Sequence, residues 1–342
     1  MHLYQGRQLL VKPVYNFCLL AMFAAPNVAT ATPNDDYEAC LFDAVKSQSG
    51  DLKLSQIRSR CEKLIAEAKK ISNEPMISQR LQRERETTFD PFVITPHRMN
   101  YFLPVTLTDS INRDAYNGTE WDNHLKNAEA EFQISFKTPL NYDDLFIDGD
   151  GVFLAFTLNS YWQVYASDIS RPFRETNYRP EMFYFAPTPW KPLGGNTWAS
   201  IGIEHQSNGR TQGLSRSWNR VYTDFIFEKG NLAFSFRPWW RIPEDKKKEP
   251  LSPSGDDNPD IEHYMGHYQV GVVYKWDDYE FSFVGRENFA SHKGYGEVGL
   301  TFPLWGKLRG YTKYSTGYGV NLIDYNHKQQ RIGVGIALTD IL

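Results

Sequence analysis

Residues 131–137 read E-F-Q-I-S-F-K, with an apolar side chain at every second position and polar ones between them. Successive side chains of a β-strand point to opposite faces, so this pattern predicts a strand with one apolar and one polar face. The same alternation occurs in L-A-F-S-F-R (232–237), E-F-S-F-V-G-R (280–286) and R-I-G-V-G-I (331–336). Two-faced strands therefore dominate the chain from about residue 100 onward.

About twelve such runs follow one another along the chain. They lie near residues 98–107, 129–137, 151–162, 178–186, 197–207, 218–228, 231–241, 264–275, 279–287, 294–304, 308–316 and 329–339. Most are near the roughly 9–11 residues that a tilted transmembrane strand needs. Strand length therefore favours a membrane barrel, although a soluble β-sandwich also has alternating strands.

Two further features favour the barrel. The polar face carries ionised side chains, which suit a polar lumen better than a solvent-facing sheet; they include Arg237, Arg241, Glu280 and Arg286. From the fifth strand on, long connections alternate with short ones, as extracellular loops and periplasmic turns do in such barrels. The long ones are 208–217, 242–263, 288–293 and 317–328, and the short ones are 229–230, 276–278 and 305–307. We predict an all-β fold, a twelve-stranded antiparallel transmembrane β-barrel over residues 91–342.

Charge and hydropathy exclude a nucleic-acid-binding protein and a helical membrane protein. A formal net charge of −4 and a pI of about 6.1 give no basic surface for nucleic acid. After the N-terminus no uncharged apolar run reaches about eighteen residues, which excludes helical membrane spans.

The first residues are typical of a secretory signal peptide. Arg7 and Lys12 supply positive charge, residues 14–26 contain the apolar core, and A-T-A at 29–31 is a small-residue cleavage pattern. We therefore assign residues 1–31 to a signal peptide. The alternative is a short buried strand or helix.

Cys18 leaves with this signal, so Cys40 and Cys61 remain as an even pair in an exported chain. This predicts a disulfide between them, and two free thiols or half of a metal site are the alternatives.

Residues 32–90 form a region of a different kind. Residues 35–71 have a helical pattern with a break at S-Q-S-G-D (47–51), so the disulfide would join two short helices of a small periplasmic segment. Residues 72–90 are polar and charged, which is typical of a linker or a plug-like segment.

Alternation also places three reactive side chains on the apolar face. His205 and Ser207 share a face with the isoleucines of their strand, and Asn219 shares a face with the apolar residues of the next strand. Polar groups facing lipid are costly unless they have a function. Positions i and i+2 of a strand lie about 6.6 Å apart, and Asn219 would face His205 across the strand pair.

These residue types suit nucleophilic catalysis. Ser207 would attack a carbonyl, and His205 would take its proton and return it to the leaving alcohol. Asn219 would fix the imidazole tautomer without a carboxylate beside lipid. The alternative is that His205 and Ser207 are merely polar residues at the headgroup level. The usual lipase elbow, G-x-S-x-G, is absent.

H-Q-S-N-G-R (205–210) and S-R-S-W-N-R (215–220) resemble the active-site signature of the bacterial outer-membrane phospholipase A family. Further matching pieces are F-R-E-T-N-Y (173–178), D-N-P-D-I (257–261), Y-M-G-H-Y-Q (264–269) and L-I-D-Y-N (322–326). The resemblance covers roughly residues 100–342, and the segment with Cys40 and Cys61 lies outside it.

The resemblance implies a twelve-stranded outer-membrane barrel with a Ser207, His205 and Asn219 triad on its outer surface. It implies hydrolysis of the sn-1 and sn-2 acyl esters of membrane phospholipids and lysophospholipids. It also implies a calcium requirement and activation by formation of a homodimer.

The resemblance further implies how calcium is held. The Arg210 carbonyl and the Ser215 hydroxyl would bind Ca²⁺, with Ser170 of the partner subunit completing the site. The Gly209 amide, with a calcium-bound water, would form the oxyanion hole. Neutral oxygens are weak calcium ligands, so the affinity should be modest.

The chain departs from the family pattern at Gln212, where some relatives carry an acid, which puts a second mode of calcium binding in doubt. Asp257 could still contribute a carboxylate. Asp168 is either an outer-shell carboxylate near Ser170 or a solvated loop charge.

Two other functions compete with the hydrolase. One is a non-enzymatic outer-membrane channel or anchor. The other is a surface protease on a barrel, which would favour acidic residues at the rim of the lumen.

Overall fold

The computed structural model describes Cys40, Phe42 and residues 55–63, 74–87, 93–249, 252, 254–306 and 308–339. The predicted signal peptide lies outside these residues. The chain divides into two compact units, Met1–Lys69 and Lys70–Leu342. In the first unit residues 55–63 are helical, and Cys40 is bonded to Cys61 with their Cα atoms 5.9 Å apart. The predicted disulfide is therefore confirmed.

Thirteen strands make up most of the described part of the second unit. They are β1 (Thr95–Pro96), β2 (Tyr101–Thr108), β3 (Ala128–Pro139), β4 (Gly151–Trp162), β5 (Phe173–Pro187), β6 (Asn196–Ser207), β7 (Ser217–Lys229), β8 (Leu232–Ile242), β9 (Tyr268–Trp276), β10 (Tyr279–Asn288), β11 (Lys293–Trp305), β12 (Leu308–Gly317) and β13 (Gln329–Ala337). From β2 to β13 each strand pairs antiparallel with the next, and β13 pairs back onto β2. This closed barrel of twelve strands confirms the predicted fold, and closure leaves its strands without free edges.

Two strand starts differ from the prediction by more than three residues. β5 begins at Phe173, five residues before the predicted start, because its pairing with β4 shifts register beside Tyr161 and Trp162. Arg174 and Glu175 are consequently both buried, which hides the alternation. β9 begins at Tyr268 because the preceding residues form a short helix, α2 (Ile261–Met265).

A further helix, α1 (Met76–Thr87), lies against the end of the barrel that carries the short turns. The backbone N–H groups of Ile77 and Ser78 donate to the Glu228 carboxylate at 2.7 and 3.2 Å. Lys137 pairs with Glu84 at 2.7 Å. A carboxylate at a helix N-terminus satisfies N–H groups that have no partner within the helix. No helix in the described ranges is long and apolar enough to cross a membrane.

The inside of the barrel is polar and the outside is apolar. Arg174 reaches Glu129 at 3.0 Å and Asp324 at 2.9 Å, and all three side chains are fully buried. Buried charges persist only when paired, and removal of one partner typically costs about 3–5 kcal/mol. Large apolar side chains face outward along the strands; they include Ile134, Leu154, Ile201, Ile203, Phe225, Phe283 and Val334. The outer wall is therefore a lipid-facing surface, and the lumen is crossed by ion pairs.

Candidate active site

His205 and Asn219 meet on the outer wall, where β6 and β7 pair. They stand directly opposite each other in the register, and His205 Nδ1 lies 2.8 Å from Asn219 Oδ1. Both side chains are half-buried, while Glu204 and Arg220 beside them point into the lumen and are buried. The face predicted for His205 and Asn219 is therefore the face that the structure shows.

Ser207 lies two residues after His205 on the same face, at the end of β6, and is half-buried. Its partner in the register is Ser217, the first residue of β7. Exposed Ile201 and Ile203 continue the same face toward the membrane. A group that reaches Ser207 therefore arrives from outside the barrel.

Glu244 is a neighbour of the site that the sequence prediction missed. It accepts a hydrogen bond from Asn219 Nδ2 at 3.1 Å. Its position in a charged loop, E-D-K-K-K-E (244–249), suggested only solvated surface. The register of the β7–β8 hairpin could have indicated this neighbour. It pairs Asn219 with Ile242 and therefore places residue 244 diagonally across from Asn219.

This contact also fixes the orientation of the Asn219 amide. An ionised carboxylate only accepts hydrogen bonds, so the NH₂ group must face Glu244 and the carbonyl oxygen must face His205. His205 Nδ1 therefore carries the hydrogen, and Nε2 keeps its lone pair. That tautomer is the one a general base needs.

Asn208 organises the loop that joins β6 to β7, and this role was also not predicted. Its buried side chain accepts from the N–H groups of Arg210 at 3.3 Å and Arg216 at 3.0 Å. It donates to the Leu214 carbonyl at 2.8 Å. Gly209 follows with a φ of +62°, a left-handed conformation that favours glycine. The loop thus has a defined backbone next to Ser207.

The predicted calcium ligands Arg210 and Ser215 lie in this loop. The Arg210 guanidinium donates to the Phe173 carbonyl at 2.6 Å, and the Ser215 hydroxyl donates to Asp257 at 2.6 Å. Lys247 pairs with the other carboxylate oxygen of Asp257. Hydroxyl, carbonyl and carboxylate oxygens are the ligands that Ca²⁺ prefers, so the donor set fits this ion.

Ser170 belongs to a different loop, the one between β4 and β5, and is exposed. Near it, Asp168 pairs with Lys126 at 2.9 Å, and both side chains are about half exposed. The hydrogen bond and the charge of Lys126 lower the pKa of Asp168. Asp168 is thus an exposed loop carboxylate paired with Lys126. Within the described ranges no three His, Cys, Asp or Glu side chains cluster as a metal site.

Comparison with known proteins gives consistent matches. The family model described as phospholipase A1 matches residues 77–338. Phospholipase A1 of Salmonella typhimurium is 37% identical over 256 residues, which cover 74% of this chain and 83% of that protein. The Escherichia coli K12 phospholipase A1 is 36% identical with the same coverage, 74% and 83%.

Solved structures agree with these relatives. Outer membrane phospholipase A from Escherichia coli has a TM-score of 0.70 at 35% identity and covers 77% of this chain and 98% of its own. A calcium-bound dimer of the Salmonella typhi outer membrane phospholipase has a TM-score of 0.69 at 36% identity, with coverage of 80% and 98%. A further Escherichia coli structure, with a TM-score of 0.70 at 34% identity and coverage of 77% and 98%, is an active-site mutant in which alanine replaces an asparagine.

Proposed function

This chain belongs to the phospholipase A1 family, and from that premise we propose that it is a calcium-dependent serine hydrolase that cleaves sn-1 and sn-2 acyl esters of phospholipids and lysophospholipids. Its twelve-stranded barrel and its relatives make it an outer-membrane protein. The observation that carries the proposal is the 2.8 Å contact between His205 Nδ1 and Asn219 Oδ1 on the lipid-facing wall. The substrate of a site in that position is the membrane itself.

The reaction follows from the residues on this wall. Ser207 Oγ attacks the acyl carbonyl while His205 Nε2 takes its proton, and Asn219 Oδ1 stabilises the imidazolium that forms. His205 returns the proton to the leaving lysophospholipid oxygen, and water then hydrolyses the acyl-serine by the same steps. The Gly209 amide donates to the developing oxyanion. The mutated active-site asparagine of the Escherichia coli relative supports the role given to Asn219.

The residues that would hold calcium are Arg210, through its carbonyl, Ser215, through its hydroxyl, and the partner subunit's Ser170. Asp257 places a carboxylate beside these ligands, because it accepts the Ser215 hydrogen bond while Lys247 pairs with its other oxygen. Calcium bound there would supply positive charge beside the oxyanion. Because Ser170 is exposed and distant in sequence, we propose that the active form is a homodimer, as in the calcium-bound dimer of the Salmonella typhi relative.

A channel is the competing function, and the lumen disfavours it. Fully buried Arg174 of β5 forms ion pairs with Glu129 of β3 and with Asp324 in the loop between β12 and β13. A conducting pore would need these pairs to open, at the cost of leaving charges buried without partners.

The test is hydrolysis of mixed-chain phospholipid micelles by the detergent-solubilised protein, with and without calcium. Ser207→Ala should reduce turnover at least ~10³-fold, whereas Ser217→Ala, the directly opposite serine, should retain it. Chelation of calcium should abolish wild-type turnover and weaken the dimer. Full activity of Ser207→Ala would refute the serine mechanism, and turnover insensitive to both chelator and dilution would refute the calcium-dependent dimer.

A further inference from the structure

We propose that Glu244 is a positioning residue for the triad, so that the site works as a relay from Ser207 through His205 and Asn219 to a carboxylate. This inference rests on the proposed function. Two contacts of the Asn219 side-chain amide support it. Asn219 Oδ1 lies 2.8 Å from His205 Nδ1, and Asn219 Nδ2 lies 3.1 Å from Glu244 Oε1.

The first effect of Glu244 is on the direction of the amide. Asparagine offers an oxygen on one side and an NH₂ group on the other, and a rotation of the amide exchanges them. With the NH₂ group toward His205, Nδ1 would have to accept, and the hydrogen would move to Nε2. His205 could then no longer take the Ser207 proton at Nε2. The Glu244 carboxylate prevents this exchange because it cannot donate a hydrogen bond.

The second effect is on charge. A triad that ends in an amide has no negative charge of its own to stabilise the imidazolium. A carboxylate that accepts from Nδ2 polarises the amide and increases the negative charge on Oδ1, because hydrogen bonds in a chain strengthen one another. Catalysis thus gains part of the stabilisation that an acidic triad residue would provide.

The position of Glu244 explains how a charge can stand so near the lipid. It follows Pro243 just beyond the end of β8, in the long loop, and its side chain is half-buried. Asn219 lies within β7 on the outer wall. The amide occupies the lipid-facing position, and the half-buried carboxylate lies one side chain further out, in the loop beyond the strand. A charged residue at position 219 itself would stand on the lipid-facing wall, where charge is costly.

The first experiment measures kcat and KM with calcium at saturation. Glu244→Ala should lower kcat roughly tenfold or more with KM changed less than about twofold, since the contact acts on the base and not on substrate binding. Glu244→Gln, which keeps an acceptor oxygen without the charge, should lie between Glu244→Ala and wild type. Asp245→Asn, the same charge change at the exposed next residue, should match wild type.

The second experiment separates a positioning role from a structural one. Asn219→Asp in the natural background places two carboxylates side by side, so one must be protonated or move away. When Asn219→Asp is combined with Glu244→Gln, the new carboxylate at position 219 has a neutral neighbour and can orient His205. The double variant should therefore exceed the single Asn219→Asp variant in kcat by about tenfold, although each substitution alone lowers it.

Heat-modifiable gel mobility confirms that each variant is a folded barrel. Wild-type kcat for Glu244→Ala, or equal kcat for Asn219→Asp with and without Glu244→Gln, would overturn the proposal. Such a result together with an inactive Ser207→Ala would leave the hydrolase assignment standing. An active Ser207→Ala would instead remove the premise.

Discussion

Asn219 occupies a position where an acidic residue would be hard to keep ionised. It lies on the lipid-facing side of β7, opposite His205, and an unpaired carboxylate beside hydrocarbon is expensive. A neutral amide has no such cost and still accepts the Nδ1 hydrogen of His205. The residue type therefore follows from the surface on which the site is built.

Asn208 shows how a single buried side chain can define a functional loop. Without it, the N–H groups of Arg210 and Arg216 and the carbonyl of Leu214 lose their partner. Each such hydrogen bond contributes about 1 kcal/mol. Because Arg210 and Ser215 lie in the same loop, the oxygens that we propose as calcium ligands would no longer be held in place.

We predict that Asn208→Ala raises the calcium concentration for half-maximal hydrolysis about tenfold, the equivalent of roughly 1.4 kcal/mol. A calcium titration of phospholipid hydrolysis measures it. Asn117→Ala, at an exposed loop position, should leave the titration unchanged. An unaltered calcium midpoint in Asn208→Ala would show that the loop does not depend on this side chain.

At the scale of elements, the alternation of apolar and polar residues was sufficient to predict the strands and the face on which the site residues lie. A period of two is a local property, so Ile201, Ile203 and His205 could be assigned to the outer wall from sequence alone. The register shift beside Arg174 and the position of α1 against the barrel could not be predicted from sequence alone. The Ile77 N–H bonds Glu228 across a sequence separation of 151 residues, and no local pattern encodes such a partner.

The same limit applies to the candidate site. His205, Ser207 and Asn219 stand out because their polarity breaks an apolar face. Glu244 and Asn208 do not, since one lies in a charged loop and the other among loop residues of similar polarity. Only the register of β7 with β8 and the fold of the loop bring them close to these three residues.

The turn between β3 and β4 is organised by Asp150, which precedes β4. Its carboxylate accepts from the N–H groups of Leu145 at 2.6 Å, Phe146 at 2.8 Å and Ile147 at 3.1 Å, and from the Tyr184 hydroxyl at 2.7 Å. Desolvation acts to raise the pKa of Asp150, but these hydrogen bonds outweigh it and lower the pKa to about 2. The ionised form therefore stabilises the folded turn.

A carboxyl group whose pKa is lowered on folding stabilises the fold above its unfolded pKa of about 3.9, and this is lost as the pH falls through the folded value. We predict that Asp150→Asn lowers the midpoint of the heat-modifiable transition at pH 7. The difference from wild type should shrink between about pH 4 and pH 2. Asp148→Asn, an exposed neighbour, should show neither effect, and a difference independent of pH would contradict the account.

At the scale of the whole molecule, the closed barrel keeps the charged groups of the lumen apart from the candidate site on its outer wall. The lumen contains paired charges such as Arg331 and Glu129, 2.8 Å apart, and the reactive groups lie outside. A hydrolase site on the outer wall would always face membrane lipid, so its activity would have to be restrained by something other than access. A calcium ligand supplied by a second subunit would provide that restraint, because a single protomer would have an incomplete site.

Complementation between two inactive variants tests this arrangement. Ser170→Ala lacks the ligand it would lend to its partner, and Ser207→Ala lacks the nucleophile. In a mixed dimer the Ser170→Ala protomer keeps its nucleophile and receives the partner's Ser170.

When equal amounts of the two variants are folded together, half of the dimers are mixed. Each mixed dimer has one complete site of two, so activity should return to about a quarter of wild type. Ser167→Ala, in the same exposed loop, should be active alone. If mixing restores nothing, or Ser170→Ala is fully active alone, the shared site is refuted.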